Sequence, residues 1–133
     1  MGENIFETIK RIDDNGKEYW SSREFAKALE YTDYRNFLTS LNKAKIACEN
    51  SGELIHNHFV DANEMVQIGS GAEKPIETIY LSRYACYLVV QNSDPTKVIV
   101  AKGQTYFAIQ TRRQENTDNL IEANNRVLLS EEM

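Results

Sequence analysis

The stretch Leu81-Ser82-Arg83-Tyr84-Ala85-Cys86-Tyr87-Leu88-Val89-Val90-Gln91-Asn92-Ser93-Asp94-Pro95 runs on into Thr96-Lys97-Val98-Ile99-Val100-Ala101-Lys102-Gly103-Gln104-Thr105-Tyr106-Phe107 and ends at Arg112-Arg113-Gln114. Two helical patterns meet here at one sharp corner. Asp94-Pro95 marks it: aspartate caps a new helix, and proline fits the first helical position, where its missing N–H costs nothing. The spacing predicts one helix over about Ser82–Asn92 and another from Pro95 to about Glu115. The segment 81–114 carries five basic residues and one acid, +4, in a chain whose formal charge is −5. A basic, tyrosine-bearing helical pair in an acidic protein points to a partner surface.

On the second helix Lys102, Tyr106, Gln110 and Arg113 are spaced by four, four and three and share one face. Lysine and arginine can meet phosphates, and tyrosine offers a ring or a hydroxyl. The competing reading is a solvated face whose tyrosine covers the core edge. Arg83 extends the basic surface, while Tyr84 and Tyr87 are expected to pack against the second helix.

Upstream, Val66 and Ile68 alternate with polar residues, as do Ile79 and Leu81, and Gly69-Ser70-Gly71 and Lys74-Pro75 lie between them. This predicts a β-hairpin with a long exposed loop. Asp33 is placed to cap a helix that buries Phe37, Leu41, Ala44 and Cys48, with Gly52 ending it. Before it, Ser21-Ser22-Arg23-Glu24 fits a capping box for a short helix burying Phe25, Ala26 and Leu29. Ile5 to Ile12 reads as the first strand of a second hairpin turning at Asn15-Gly16, with a helical turn as the alternative. The expectation is an α+β domain over residues 1–115: a small antiparallel sheet of two hairpins packed with about four helices.

Residues 116–133 form a C-terminal extension holding Leu120, Ile121, Val127, Leu128 and Leu129. Five acids against Arg126 give residues 115–133 a charge of −4, so residues 1–114 sum to −1 and the total understates how far the body can meet polyanions. With 133 residues and 41% hydrophobic content, the chain can bury a core without staples. No apolar run approaches the ~20 residues of a membrane span, and no secretory signal is evident. Cys48 and Cys86 fall on apolar faces, as free thiols of a reducing cytoplasm do.

Other residue groups bear on chemistry only weakly. The pair around Glu30, from Arg23 to Phe37, has helix-turn-helix form, although Glu30 and Tyr31 stand where such turns often have glycine. Its second helix is expected to present Arg35, Asn36, Ser40 and Lys43 outward, where arginine and asparagine could read base edges. Any two-helix corner can look the same. His56, His58, Asp61 and Glu64 lack the spacing of a helical zinc motif, so no metal is expected. Gly69-Ser70-Gly71 lacks the Gly-Lys-Ser/Thr ending of a phosphate loop. Nothing assembles a nucleophile, a base and an orienter, so no enzyme and no cofactor is expected.

Longer motifs identify a family. Glu18-Tyr19-Trp20-Ser21-Ser22-Arg23-Glu24, Tyr34-Arg35-Asn36-Phe37, Ala44-Lys45-Ile46-Ala47-Cys48-Glu49-Asn50-Ser51-Gly52 and Leu81 to Asn92, then Asp94-Pro95 and 101–115, occur in order. Across about residues 6–115 the chain resembles the DNA-damage-inducible protein D family. More distantly it is similar to the BRO-type N-terminal domains of phage and viral antirepressor-like proteins. The resemblance implies a small α+β domain in a bacterial, cytoplasmic protein of the SOS response, linked to the RecA-type recombinase filament on single-stranded DNA. It also implies that relatives continue past the last helix for a comparable length. Arg83, Lys102, Arg112 and Arg113 become candidate contacts to a phosphate backbone or acidic partner. The expectation is a non-enzymatic regulator of recombinase filaments on single-stranded DNA. The alternatives are an antirepressor-like DNA-binding module and a protein-only interaction domain forming a homodimer by exchange of the tail.

Overall fold

The computed structural model describes residues 4–69 and 71–109. Along the chain come α1 (Ile5–Thr8), β1 (Arg11–Ile12), β2 (Glu18–Ser21), α2 (Ser22–Ala28) and α3 (Tyr34–Asn50). A 3-10 turn (Ile55–Asn57), β3 (Phe59–Ile68), β4 (Ala72–Leu81) and α4 (Arg83–Gln91) follow. A further helix, α5, runs over 98–109 within the described residues. The strands form one antiparallel sheet in the order β1-β2-β4-β3. The fold is the α+β one expected. The extension 116–133 lies outside the described residues.

Both readings of the N-terminal segment hold. Asn4 caps the single turn of α1 by accepting the Phe6 N–H (2.8 Å), and two residues later the chain enters β1. The β1–β2 turn closes at Gly16 (φ 79°), and the Asp13 carboxylate takes the N–H groups of Asn15 (2.9 Å) and Lys17 (2.8 Å). This is the local hydrogen bonding that makes aspartate and glycine turn residues.

Three expectations need correcting. The Ser21–Glu24 capping box does not form. Ser21 starts α2 by its backbone, but its hydroxyl lies buried 3.0 Å from the Thr78 hydroxyl, and Glu24 binds Arg11 instead. A serine closing a sheet strand meets the neighbouring strand before it can meet its own helix. The β3–β4 hairpin has a short turn, not a long loop. Strand pairing continues through Lys74 (opposite Val66) and Pro75 (opposite Met65), with positive φ at Gly69 and Gly71. Ser40 does not face outward: it is buried, with its hydroxyl 3.0 Å from that of Tyr31.

The core lies between the sheet base and the helices. Trp20 is fully buried; its indole N–H donates to the Phe6 carbonyl (2.8 Å), and its ring meets Phe107 edge-on (5.4 Å). Phe6, Phe25 and Phe37 continue the aromatic cluster. Such edge-to-face contacts add to the burial of large rings. The expected inward faces hold: Phe25, Ala26 and Leu29 of the α2 region, and Phe37, Leu41, Ala44 and Cys48 of α3, are all buried. Gly103 lets α5 close on this core, since a Cβ there would stand 3.0 Å from the Phe6 ring and 3.1 Å from Val90.

Helix ends position the surfaces. Asp33 caps α3 through the Arg35 N–H (2.9 Å), and Gly52 (φ 90°) ends it, with the Gly52 N–H on the Glu49 carbonyl and the Glu53 N–H on that of Cys48. The same two-bond pattern closes α2, but the left-handed residue is Glu30 (φ 65°), where glycine is usual. Asp94 and Pro95 do not open α5 as expected: the Asp94 carboxylate accepts the Thr96 N–H (3.0 Å) in a turn that holds Pro95, and the helix begins at Val98, with the Lys97 carbonyl accepting the Ala101 N–H.

Candidate nucleic-acid interface

The structure separates the predicted basic residues into two environments. In the α4–α5 region Arg83 is drawn inward. Its Nε and Nη2 donate to the two Glu18 carboxylate oxygens (2.6 and 2.7 Å), and its guanidinium lies 5.2 Å from the Trp20 ring centre. Only 14% of the side chain is exposed. Burial works against its charge, but the Glu18 pair outweighs this and raises the Arg83 pKa. A fork-to-fork pair of this kind fixes β2 to the first turn of α4.

Tyr106 is similarly engaged. Its ring stacks on Phe6 (5.7 Å between centres) and its hydroxyl donates to the Glu7 carboxylate. Burial and that acceptor push the Tyr106 pKa up to about 12, and the same contact, with Lys10, lowers that of Glu7. Lys102 stands exposed one turn away. It borders a groove of about 670 Å³ shared with Asn4, Val98, Ala101, Thr105 and Ile109. Gln110, Arg112 and Arg113 lie outside the described residues. Tyr84 does not pack against α5: it sits on the end of α3, its hydroxyl 3.0 Å from that of Ser51 and its ring against His58.

The α2–α3 corner is open. Arg35 is 88% exposed and pairs with Asp33 (3.1 Å) beside the cap. Asn36, Thr39, Asn42 and Lys43 are exposed on the same helix, which holds no acid before Glu49. Arg35, Thr39 and Lys43 fall at steps of four, so they share a face. Next to them a groove of about 650 Å³ runs between α3 and the β3–β4 hairpin, lined among others by Arg23, Tyr34, Arg35 and Leu38. Arg23 lies over the Tyr34 ring (3.8 Å) and donates to the Glu77 carbonyl (2.9 Å). The sequence reading missed Arg23, because its partners are distant in the chain. Thr39 and Asn42 carried a usable signal in their spacing from Arg35.

Among the described residues no three metal-ligating side chains come together. Glu64 is taken by Arg11 (2.8 and 3.3 Å). His58 places Nδ1 2.7 Å from the Ser82 hydroxyl and Nε2 3.6 Å from Glu53. That hydroxyl accepts the Ala85 N–H (3.0 Å), so the serine serves as the cap of α4. Cys48 and Cys86 are free and buried, and burial raises both thiol pKa values. Among the described residues no helix is long and apolar enough to cross a membrane.

Comparison with known proteins follows the same boundaries. Residues 8–108 match the BRO family, N-terminal domain, and the chain belongs to that family. The chain is 58% identical over 114 residues, 86% of its length, to DNA damage-inducible protein D of Escherichia coli (strain K12). It spans 42% of that relative's length. No solved structure matches it.

Proposed function

We propose that this protein is a non-enzymatic, cytoplasmic regulator in the bacterial DNA-damage response that acts on recombinase filaments on single-stranded DNA. The observation that carries the reading is the 58% identity to a DNA damage-inducible protein across the folded domain. The likeness of the Leu81–Asn92 motif to that family supports the finer part, the recombinase filament. Lys102, exposed on α5, is the phosphate contact proposed within the described part of the basic stripe.

The test is a binding titration on bare and recombinase-coated single-stranded DNA at several salt concentrations. Affinity is expected to fall steeply with salt, and Lys102→Ala to lower the slope of log affinity against log salt by about one unit. No difference between coated and bare strands would remove the recombinase from the proposal.

A second reading, duplex binding of the antirepressor type, is favoured by the acid-free outward face of α3. Arg35, Thr39 and Lys43 would meet a groove and its phosphates. It requires preference for one duplex sequence, which Arg35→Ala relaxes. Equal affinity for random duplexes counts against it.

A further inference from the structure

Strand β3 closes one side of the sheet, and among the described residues no strand pairs with its outer edge. Its free backbone groups can be assigned. In β4 the Ile79 N–H donates to the Ser22 hydroxyl and the Glu77 carbonyl accepts from Arg23, so odd-numbered residues of β4 point away from β3. Their opposite numbers, Asp61 (opposite Ile79) and Asn63 (opposite Glu77), must point away from β4. The His58 carbonyl, which accepts the Ser82 N–H, shows that even-numbered residues face inward. The outer edge of β3 therefore offers the N–H and C=O groups of Asp61, Asn63, Met65 and Gln67.

The two hairpin edges left open among the described residues, that of β3 and that of β4 before Tyr80, are guarded differently. On β4 Pro75 has the same parity as Glu77 and Ile79, so its missing N–H falls on the open side, next to Lys74. Proline and lysine are the residues that blunt an edge. β3 has neither. Its inward-parity side chains instead read Val60, Ala62, Glu64, Val66, Ile68, an apolar series symmetric about Glu64. Val60 and Ile68 are 47% and 48% exposed.

We propose that β3 pairs antiparallel with β3 of a second copy of this chain, about a twofold axis at Glu64. This register sets Asp61 opposite the partner's Gln67 and Asn63 opposite the partner's Met65, giving about eight backbone hydrogen bonds across the four outward pairs. It also sets Val60 opposite the partner's Ile68 and Ala62 opposite the partner's Val66, at the non-hydrogen-bonded positions where side chains come closest. Sliding by two residues either way puts Glu64 opposite Ala62 or Val66. In the proposed register Glu64 meets its own copy, and each carboxylate is already held by its own Arg11.

Sedimentation of the 133-residue chain over micromolar to millimolar concentrations is expected to show twice the monomer mass. Met65→Pro removes an outward N–H without touching the β4 ladder, and is expected to give a folded monomer by circular dichroism. Glu64→Cys is expected to cross-link as a dimer on mild oxidation, since paired Cα atoms at such a position stand about 4.5 Å apart, within disulfide reach. Gln67→Cys, far from its own copy in this register, is expected not to cross-link. A wild-type monomer at every concentration, a Met65→Pro dimer, or equal cross-linking of both cysteine variants would each overturn the proposal.

Discussion

Arg83 and Arg35 both stand in the first turn of a helix and both face a carboxylate, yet the fold uses them in opposite ways. Arg83 is 14% exposed and joins β2 to α4 through Glu18. Arg35 is 88% exposed and its guanidinium pairs with Asp33, two residues before it. The α4–α5 pair, basic in sequence, spends its described arginine and Tyr106 on internal contacts, whereas α3 turns Arg35 and Lys43 to solvent. Charge counted along a chain is not charge available to a partner.

The strongest challenge to that contrast is Arg83→Ala. It deletes two charge-assisted hydrogen bonds and uncovers the Trp20 ring, so urea unfolding is expected to show a loss of about 2 kcal/mol. Arg83→Lys should recover only part, because an ammonium cannot pair as a fork. A variant of unchanged stability would return Arg83 to the list of free cations. Gly103→Ala tests the same region from the other side. Alanine gains about 1 kcal/mol of helix propensity, but its methyl meets Phe6 and Val90, both buried. Overpacking of about 1–3 kcal/mol is expected to win, leaving a net loss of about 1 kcal/mol. A stabilised variant would mean that α5 rests loosely on α4.

The sequence was most legible where the physics is local. Asp33, Gly52 and the Asn15-Gly16 turn act within a few residues, and the inward faces of α2 and α3 follow from helical period. It failed where a side chain chooses between a local and a distant partner. Ser21 prefers Thr78 to its own helix, Ser40 turns to Tyr31, and Tyr84 goes to Ser51. Pro75 and Lys74 read as loop because the sequence does not reveal which edge of a strand is open. For the candidate surface the spacing placed Lys102 with Tyr106 and Arg35 with Lys43, but the internal pairing of Arg83 depends on Glu18, 65 residues away in the chain.

The α2–α3 corner offers a smaller test. Glu30 holds a left-handed conformation that costs a side-chain-bearing residue about 1–2 kcal/mol. Glu30→Gly removes that cost but adds backbone entropy of about 0.5–1 kcal/mol, for a net gain of about 0.5 kcal/mol. The gain should appear in the urea midpoint without change in nucleic-acid affinity. A loss of stability would show that the corner relies on the Glu30 side chain.

Arg35→Ala is expected to have the smallest effect on stability and to separate the two regions most clearly. The Asp33 carboxylate caps α3 through the Arg35 backbone N–H, which alanine retains, so the cap survives and only a solvent-exposed ion pair is lost. The unfolding midpoint should stay where it is. If α3 meets DNA, however, Arg35→Ala with Lys43→Ala should lower the salt slope of duplex binding by about two units. Helical signal lost with Arg35 would make its ion pair structural and erase the contrast with Arg83. An intact fold with an unchanged salt slope would instead leave the outward face of α3 without a role in binding nucleic acid.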